Sequence, residues 1–154
     1  MKGALYNLVV ILLVMSGCSS THDTPLYDIK LTQTSIGPIK QNTDFSLTAL
    51  HALLPGFDIK PFTSMNNPKD IVYRIFYHDK EWMQVIPTKD KKKISEIYIV
   101  SPDVKHKFKI GETLDDDHWE KASCKMKHHK VECCDKNIKY FYHDDILKSM
   151  VLTF

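Results

Sequence analysis

Hydrophobic and polar positions alternate with a period of two over most of this chain. From Leu26, residues Leu26, Asp28 and Lys30 alternate with Tyr27, Ile29 and Leu31, until Ile36-Gly37-Pro38 breaks the pattern. Four strand-like runs follow a short helical one: Phe57–Thr63, Asp70–His78, Trp82–Pro87 and Ile94–Val100. In the second of these, Ile71, Tyr73, Ile75 and Tyr77 share one face, and Val72, Arg74 and Phe76 the other, so both faces are at least partly covered. Asn66-Asn67-Pro68-Lys69, Asp79-Lys80-Glu81 and the Lys89–Lys93 cluster read as the turns. A second set of strands is predicted near Ser123–Met126, Lys130–Cys134, Ile138–His143 and Lys148–Phe154.

Two segments depart from the alternation. Leu47, Leu50 and Leu54 recur at three and four residues, which predicts a short helix over Ser46–Leu54, capped by Thr43 or Ser46 and stopped by Pro55-Gly56. Thr113, followed by Leu114-Asp115-Asp116, reads as a cap and an acidic first turn, predicting a second helix to Ala122 that buries Leu114, Trp119 and Ala122. Each predicted helix is followed by a run of strands, so the chain reads as two tandem helix-then-strands units. The connections are too short for parallel crossovers. The expected class is therefore α+β, mostly antiparallel sheet with two short helices.

The first residues carry a different signal. Met1-Lys2 is a positive start and Leu5–Val14 is mostly apolar, about ten residues, too short to span a bilayer as a helix. This reads as a secretory leader. Ser16-Gly17-Cys18 resembles a bacterial lipobox, which implies cleavage after Gly17 and lipidation of Cys18. Acyl chains buried at about 0.8 kcal/mol per methylene make anchoring by several chains effectively permanent. Ser19 after the cysteine resembles the pattern released to the outer membrane. The expected organisation is a leader over 1–17, a lipidated tether over 18–25 and a single α+β periplasmic domain over 26–154.

Charge narrows the partners. The formal net charge is +2, of which Lys2 supplies one unit, so no electrostatic footprint for nucleic acid exists. Arg74 is the only arginine, and bidentate phosphate recognition is nearly absent from the chain. The expected partners are the membrane, through the lipid anchor, and an envelope protein. The dense cluster Lys89–Lys93 lies between two apolar runs and reads as a solvated hairpin turn.

Past Cys18, three cysteines remain: Cys124, Cys133 and Cys134. In an oxidising periplasm a pair within reach forms a disulfide, leaving one thiol over. On a strand Cys133 and Cys134 point to opposite faces, so only one of them can face Cys124. The same stretch offers metal donors. Cys124, His128, His129, Cys133 and Cys134 are ligand types that copper or zinc would choose. A disulfide-closed hairpin with a Lys/His-rich turn is the favoured reading, because oxidation removes the best ligands and adjacent His128 and His129 point apart when extended. Asp115-Asp116-Asp117-His118 reads as a helix start, His143-Asp144-Asp145 as a polar turn, and His51 as the exposed flank of the first helix. There is no Gly-rich phosphate loop, no Gly-x-Ser-x-Gly and no His-Glu-x-x-His. No catalytic residue and no cofactor is expected. Tyr73, Phe76 and Tyr77, with Tyr140, Phe141 and Tyr142, are either core or a protein-binding surface.

Taken in order, several segments resemble the RpoE (sigma-E)-regulated lipoproteins of the Gram-negative envelope, a domain family of unknown function. The segments are Ile36-Gly37-Pro38-Ile39 before Thr43-Asp44-Phe45, Leu53-Leu54-Pro55-Gly56-Phe57, Ile94–Ser101, Ile110–Leu114, Cys124, Val131-Glu132-Cys133, Ile138–Phe141 and the terminal apolar strand. The chain departs from that pattern in its shorter Cys124–Cys133 interval, its extra Cys134 and its shortened end after Asp145. The resemblance implies an outer-membrane lipoprotein linked to envelope stress or maintenance, and a Cys124–Cys133 disulfide. It carries over no catalytic residues. Two function classes follow: a non-catalytic lipoprotein that binds or supports a protein partner, or a metal-handling one that uses the Cys/His hairpin.

Overall fold

Five of the strand-to-strand connections are two residues long, and that length dictates the architecture. A two-residue loop joins only antiparallel neighbours, and the turns that match strand twist need positive φ. His78 and Asp79 (φ 48° and 60°) and Asp144 and Asp145 (φ 50° and 59°) supply it at both central positions, while His128 (57°) and Lys136 (53°) supply it at the first. The computed structural model describes residues 28–65, 67–116 and 122–154. Over these the chain forms β1 (Ser35–Ile36), β2 (Ile39–Lys40), α1 (Leu47–Leu53), β3 (Asp58–Thr63), β4 (Ile71–Tyr77), β5 (Lys80–Pro87), β6 (Ile94–Ile99), β7 (Ser123–Lys127), β8 (Lys130–Asp135), β9 (Ile138–His143) and β10 (Ile146–Thr153).

β3 to β10 make one eight-stranded sheet in the order β3-β4-β5-β6-β10-β9-β8-β7. Every pairing in it is antiparallel. It consists of two four-strand meanders, β3–β6 and β7–β10, joined through their last strands. The seam pairs Ile99 with Met150 and Ile97 with Leu152. β3 closes one edge, where Pro61 removes a backbone donor that a stray strand could use.

Register and period two sort the side chains onto two faces. Opposite one another across all eight strands lie Ile59, Ile75, Met83, Ile99, Met150, Tyr140, Cys133 and Cys124. This is the closed face, and from Ile59 to Cys133 the row is buried. Segments 28–57 and 100–116 contribute to its core through Ile29, Leu31, Ile36, Ile39, Leu50 and Val104. Helix α1 forms for the reasons its sequence carries. The Ser46 Oγ accepts from the Ala49 N–H (3.2 Å), Leu50 and Leu54 are fully buried, and the chain leaves the helix before Pro55-Gly56. Gly37 takes φ 51° in the tight β1–β2 turn, where a side chain would be strained and would touch Ile29.

The fold class differs from the α+β expectation. The protein is mostly β: an eight-stranded antiparallel sheet, a two-stranded sheet and, among the described residues, a single short helix. The strands of both runs lie where the alternation placed them. The second expected helix, Thr113–Ala122, does not begin at its expected cap: Thr113, Leu114 and Asp115 are not helical. Thr113 forms an antiparallel bridge with Ile146, the Leu114 N–H donates to the Asp145 carbonyl (2.7 Å) and the Leu147 N–H donates to the Glu112 carbonyl (2.9 Å). The start of β10 offers backbone partners to this segment, and that tertiary demand overrides the local Thr-and-carboxylate signature. Asp117, His118 and Trp119 of that expectation, like the leader, Cys18 and the tether, lie outside the described residues.

Candidate functional site

The Cys/His segment folds as the β7–β8 hairpin. Register places Cys124 directly opposite Cys133, and the two are bonded, with Cα atoms 4.0 Å apart. Cys134 is free and lies one residue on, so its side chain belongs to the other face. Its thiol donates weakly to Glu132 Oε1 (3.9 Å). His128 and His129 are the exposed turn residues. The five candidate metal donors are thus divided between a closed disulfide, the opposite face and a turn tip. Among the described residues no group of three or more His, Cys, Asp or Glu is placed to hold an ion. Thiolate ligation of a metal by Cys124 or Cys133 would require their bond to be reduced first.

The other polar candidates are accounted for locally. Asp144 and Asp145 form the β9–β10 turn, and Asp144 meets His143 (3.1 Å) and His129 (3.8 Å). His51 is exposed on α1. The Lys89–Lys93 cluster is the β5–β6 connection, where Lys91 pairs with Asp70 (2.9 Å) and Lys93 with Asp44.

Two features were not visible in the pattern. The first is a polar node on the closed face. The Leu31 carbonyl can only accept, so in neutral His106 the Nδ1–H donates to it (3.2 Å) and Nε2 accepts from the Tyr140 O–H (2.8 Å). The rings of His106 and Tyr140 stack, and Phe108 meets Tyr140 edge-on. Burial pushes the His106 pKa below its ordinary 6.5, outweighing the Leu31 hydrogen bond. Burial, reinforced by the Asp135 charge, raises the Tyr140 hydroxyl pKa, so it stays protonated.

The sign of the His106 shift gives a stability prediction. Below pH 6.5 the unfolded chain binds a proton that folded His106 resists. Its contribution is therefore fully present above pH 6.5 and is lost as pH falls through the lower folded pKa. His106→Gln should flatten the stability profile between pH 7 and 5 in urea titrations. A profile in that window unchanged by the substitution contradicts this role.

The second feature is the open face of the sheet. One row on it runs Lys60, Arg74, Gln84, Tyr98, Val151, Lys139, Cys134 and Ser123. Contacts on its β3–β5 part stay within the face: Arg74 stacks over Phe62 (4.5 Å), Phe62 meets Phe76, and Glu81 takes Arg74 (3.7 Å) and the Gln84 amide (2.7 Å). Over the second meander the face is a groove of about 1250 Å³. Tyr98, Phe141 and Val151, all half-buried, line it with the buried Ser149. Lys125, Lys127 and Lys130 from the hairpin line it too, as does Lys148, the extra residue at the β10 bulge. Exposed Met126 and the three histidines 128, 129 and 143 complete the hairpin end. The aromatic alternatives thus divide: Tyr140 and Tyr142 are core, and Phe141 is on the open face.

No family model matches the chain, and no curated protein matches it. The fold is similar to a solved structure, the crystal structure of the uncharacterized protein yfeY from Escherichia coli. The TM-score is 0.57 at 15% identity, covering 81% of this chain and 99% of that one. At that identity the likeness shows a shared fold and nothing further.

Proposed function

We propose that this protein is a non-catalytic binding protein of the bacterial envelope, held at the periplasmic face of the outer membrane by lipid on Cys18, and that it engages a partner protein through the open face of its sheet. One observation carries the reading: an eight-stranded antiparallel sheet packs a full core on one face and presents Phe62, Phe76, Tyr98 and Phe141 on the other. An antiparallel sheet with one solvated face ordinarily alternates apolar-in and polar-out. Aromatic residues kept on the outward face are the composition of a protein interface. The anchoring rests on Ser16-Gly17-Cys18, and the place in envelope stress or maintenance rests on the family resemblance.

Two experiments test this. Cys18→Ala, expressed in the host, should leave the outer-membrane fraction; a variant that fractionates unchanged contradicts the anchor. Tyr98→Ser/Phe141→Ser should keep the thermal unfolding of a folded protein yet lose partner adducts obtained by crosslinking in intact cells. Adducts retained at wild-type level in that folded variant contradict the interface.

A further inference from the structure

We infer that the groove over the second meander takes an extended, acidic segment of a partner protein; this rests on the open face being the interface. Lys125, Lys127, Lys130 and Lys148 line the groove, and none of the four has an ion-pair partner among the described residues. Some lysines elsewhere pair, such as Lys91 with Asp70 and Lys107 with Asp135, and others such as Lys40 and Lys80 do not among the described residues; what sets these four apart is that they line one groove. Lys127 and Lys130 stand directly opposite one another, with His143 next in the same row. Like charges in facing positions are destabilising, and an anion laid across them removes that repulsion. The carboxylates at hand are engaged. Glu132, opposite Lys125 in register, contacts Lys139 (3.9 Å) and the Cys134 thiol, and Asp144 meets His129 and His143.

Shape and spacing select the class of anion. A planar bilayer does not enter a groove, and this one is larger than the roughly 300–1,000 Å³ of small-molecule sites. Nucleic acid needs a broad basic footprint, which a chain of net +2 lacks; its only arginine, Arg74, sits in the other meander. Lys125 and Lys127 lie on one face of β7, about 7 Å apart. That is the spacing of alternate side chains on an extended peptide, whose remaining apolar side chains would meet Tyr98, Phe141 and Val151. Lysine at an edge strand also repels a second copy of β7, so the surface discriminates between an acidic chain and itself.

The test uses the full chain in detergent and two fluorescent peptides, one alternating Glu with Val and the other alternating Gln with Val. The Glu peptide should bind, and binding should weaken with salt. Lys125→Glu/Lys127→Glu should lower its affinity on the order of tenfold. Lys89→Glu/Lys92→Glu, the same charge change on the β5–β6 connection, should leave it unaltered. Equal binding of the Gln peptide, equal loss from both charge reversals, no binding, salt-dependent self-association, or stronger binding to anionic vesicles or an oligonucleotide overturns the inference. Partner adducts in cells that persist through Lys125→Glu/Lys127→Glu overturn the acidic segment alone, whereas adducts indifferent to Tyr98→Ser/Phe141→Ser remove the interface itself.

Discussion

Cys133→Ser should lower the unfolding free energy by about 2–3 kcal/mol, while Cys134→Ser should change it by no more than about 0.5 kcal/mol. The bond between Cys124 and Cys133 spans a sequence separation of 9. In the chain-entropy account, a loop of that size constrains the unfolded chain by the larger figure. The effect is a large share of the stability of a typical domain. Cys133 is also fully buried in the row of closed-face side chains, so a hydroxyl there adds a desolvation cost. Cys134, half-buried on the other face, makes one weak contact. Urea denaturation of the two variants measures both effects, and peptide mapping without reductant should recover Cys124 joined to Cys133. Equal destabilisation by the two substitutions contradicts the assignment of faces.

Ile99→Ala should cost about 2–5 kcal/mol, the range for emptying a buried isoleucine site in a packed core. Ile99 is fully buried, faces Met83 on β5 and Met150 on β10, and lies on the seam that makes two meanders one sheet. A cavity there is walled by both meanders, and neither can collapse into it without moving the other. Val151→Thr, also on the seam but on the open face, should cost less than about 1 kcal/mol. The two free energies of unfolding, taken at unchanged urea dependence, separate the faces. Comparable costs at Ile99 and Val151 would mean that both faces are equally packed.

Much of this fold was legible because its elements are short and strongly patterned. Alternation located both runs of strands, and Leu47, Leu50 and Leu54 with Pro55-Gly56 located α1. The expected start of the second helix does not hold because Thr113 and its following carboxylates satisfy a local rule, whereas the backbone of 112–114 is paired with Asp145, Ile146 and Leu147, more than thirty residues away. The β4–β5 turn also shifted, onto His78-Asp79, since positive φ at two non-glycine residues leaves little mark in sequence. Alternation limited the disulfide to one of Cys133 and Cys134, and register supplies the physical reason for Cys133. The groove and the His106–Tyr140 node were not readable. Tyr98 reaches the hairpin's face only through the β6–β10 seam, and His106 meets Tyr140 only because segment 100–116 helps cover the closed face.

The central claim is that one face of the sheet is closed by its own chain and the other is kept for a partner. Site-specific photocrosslinking of the full chain in its host tests it most directly, with the reactive side chain placed in turn at Tyr98, Phe141 and His51. The account predicts adducts to the same partner from Tyr98 and Phe141 and none from His51, which lies on α1. Adducts from His51 with none from the open face, or no adduct at any of the three positions, would contradict it.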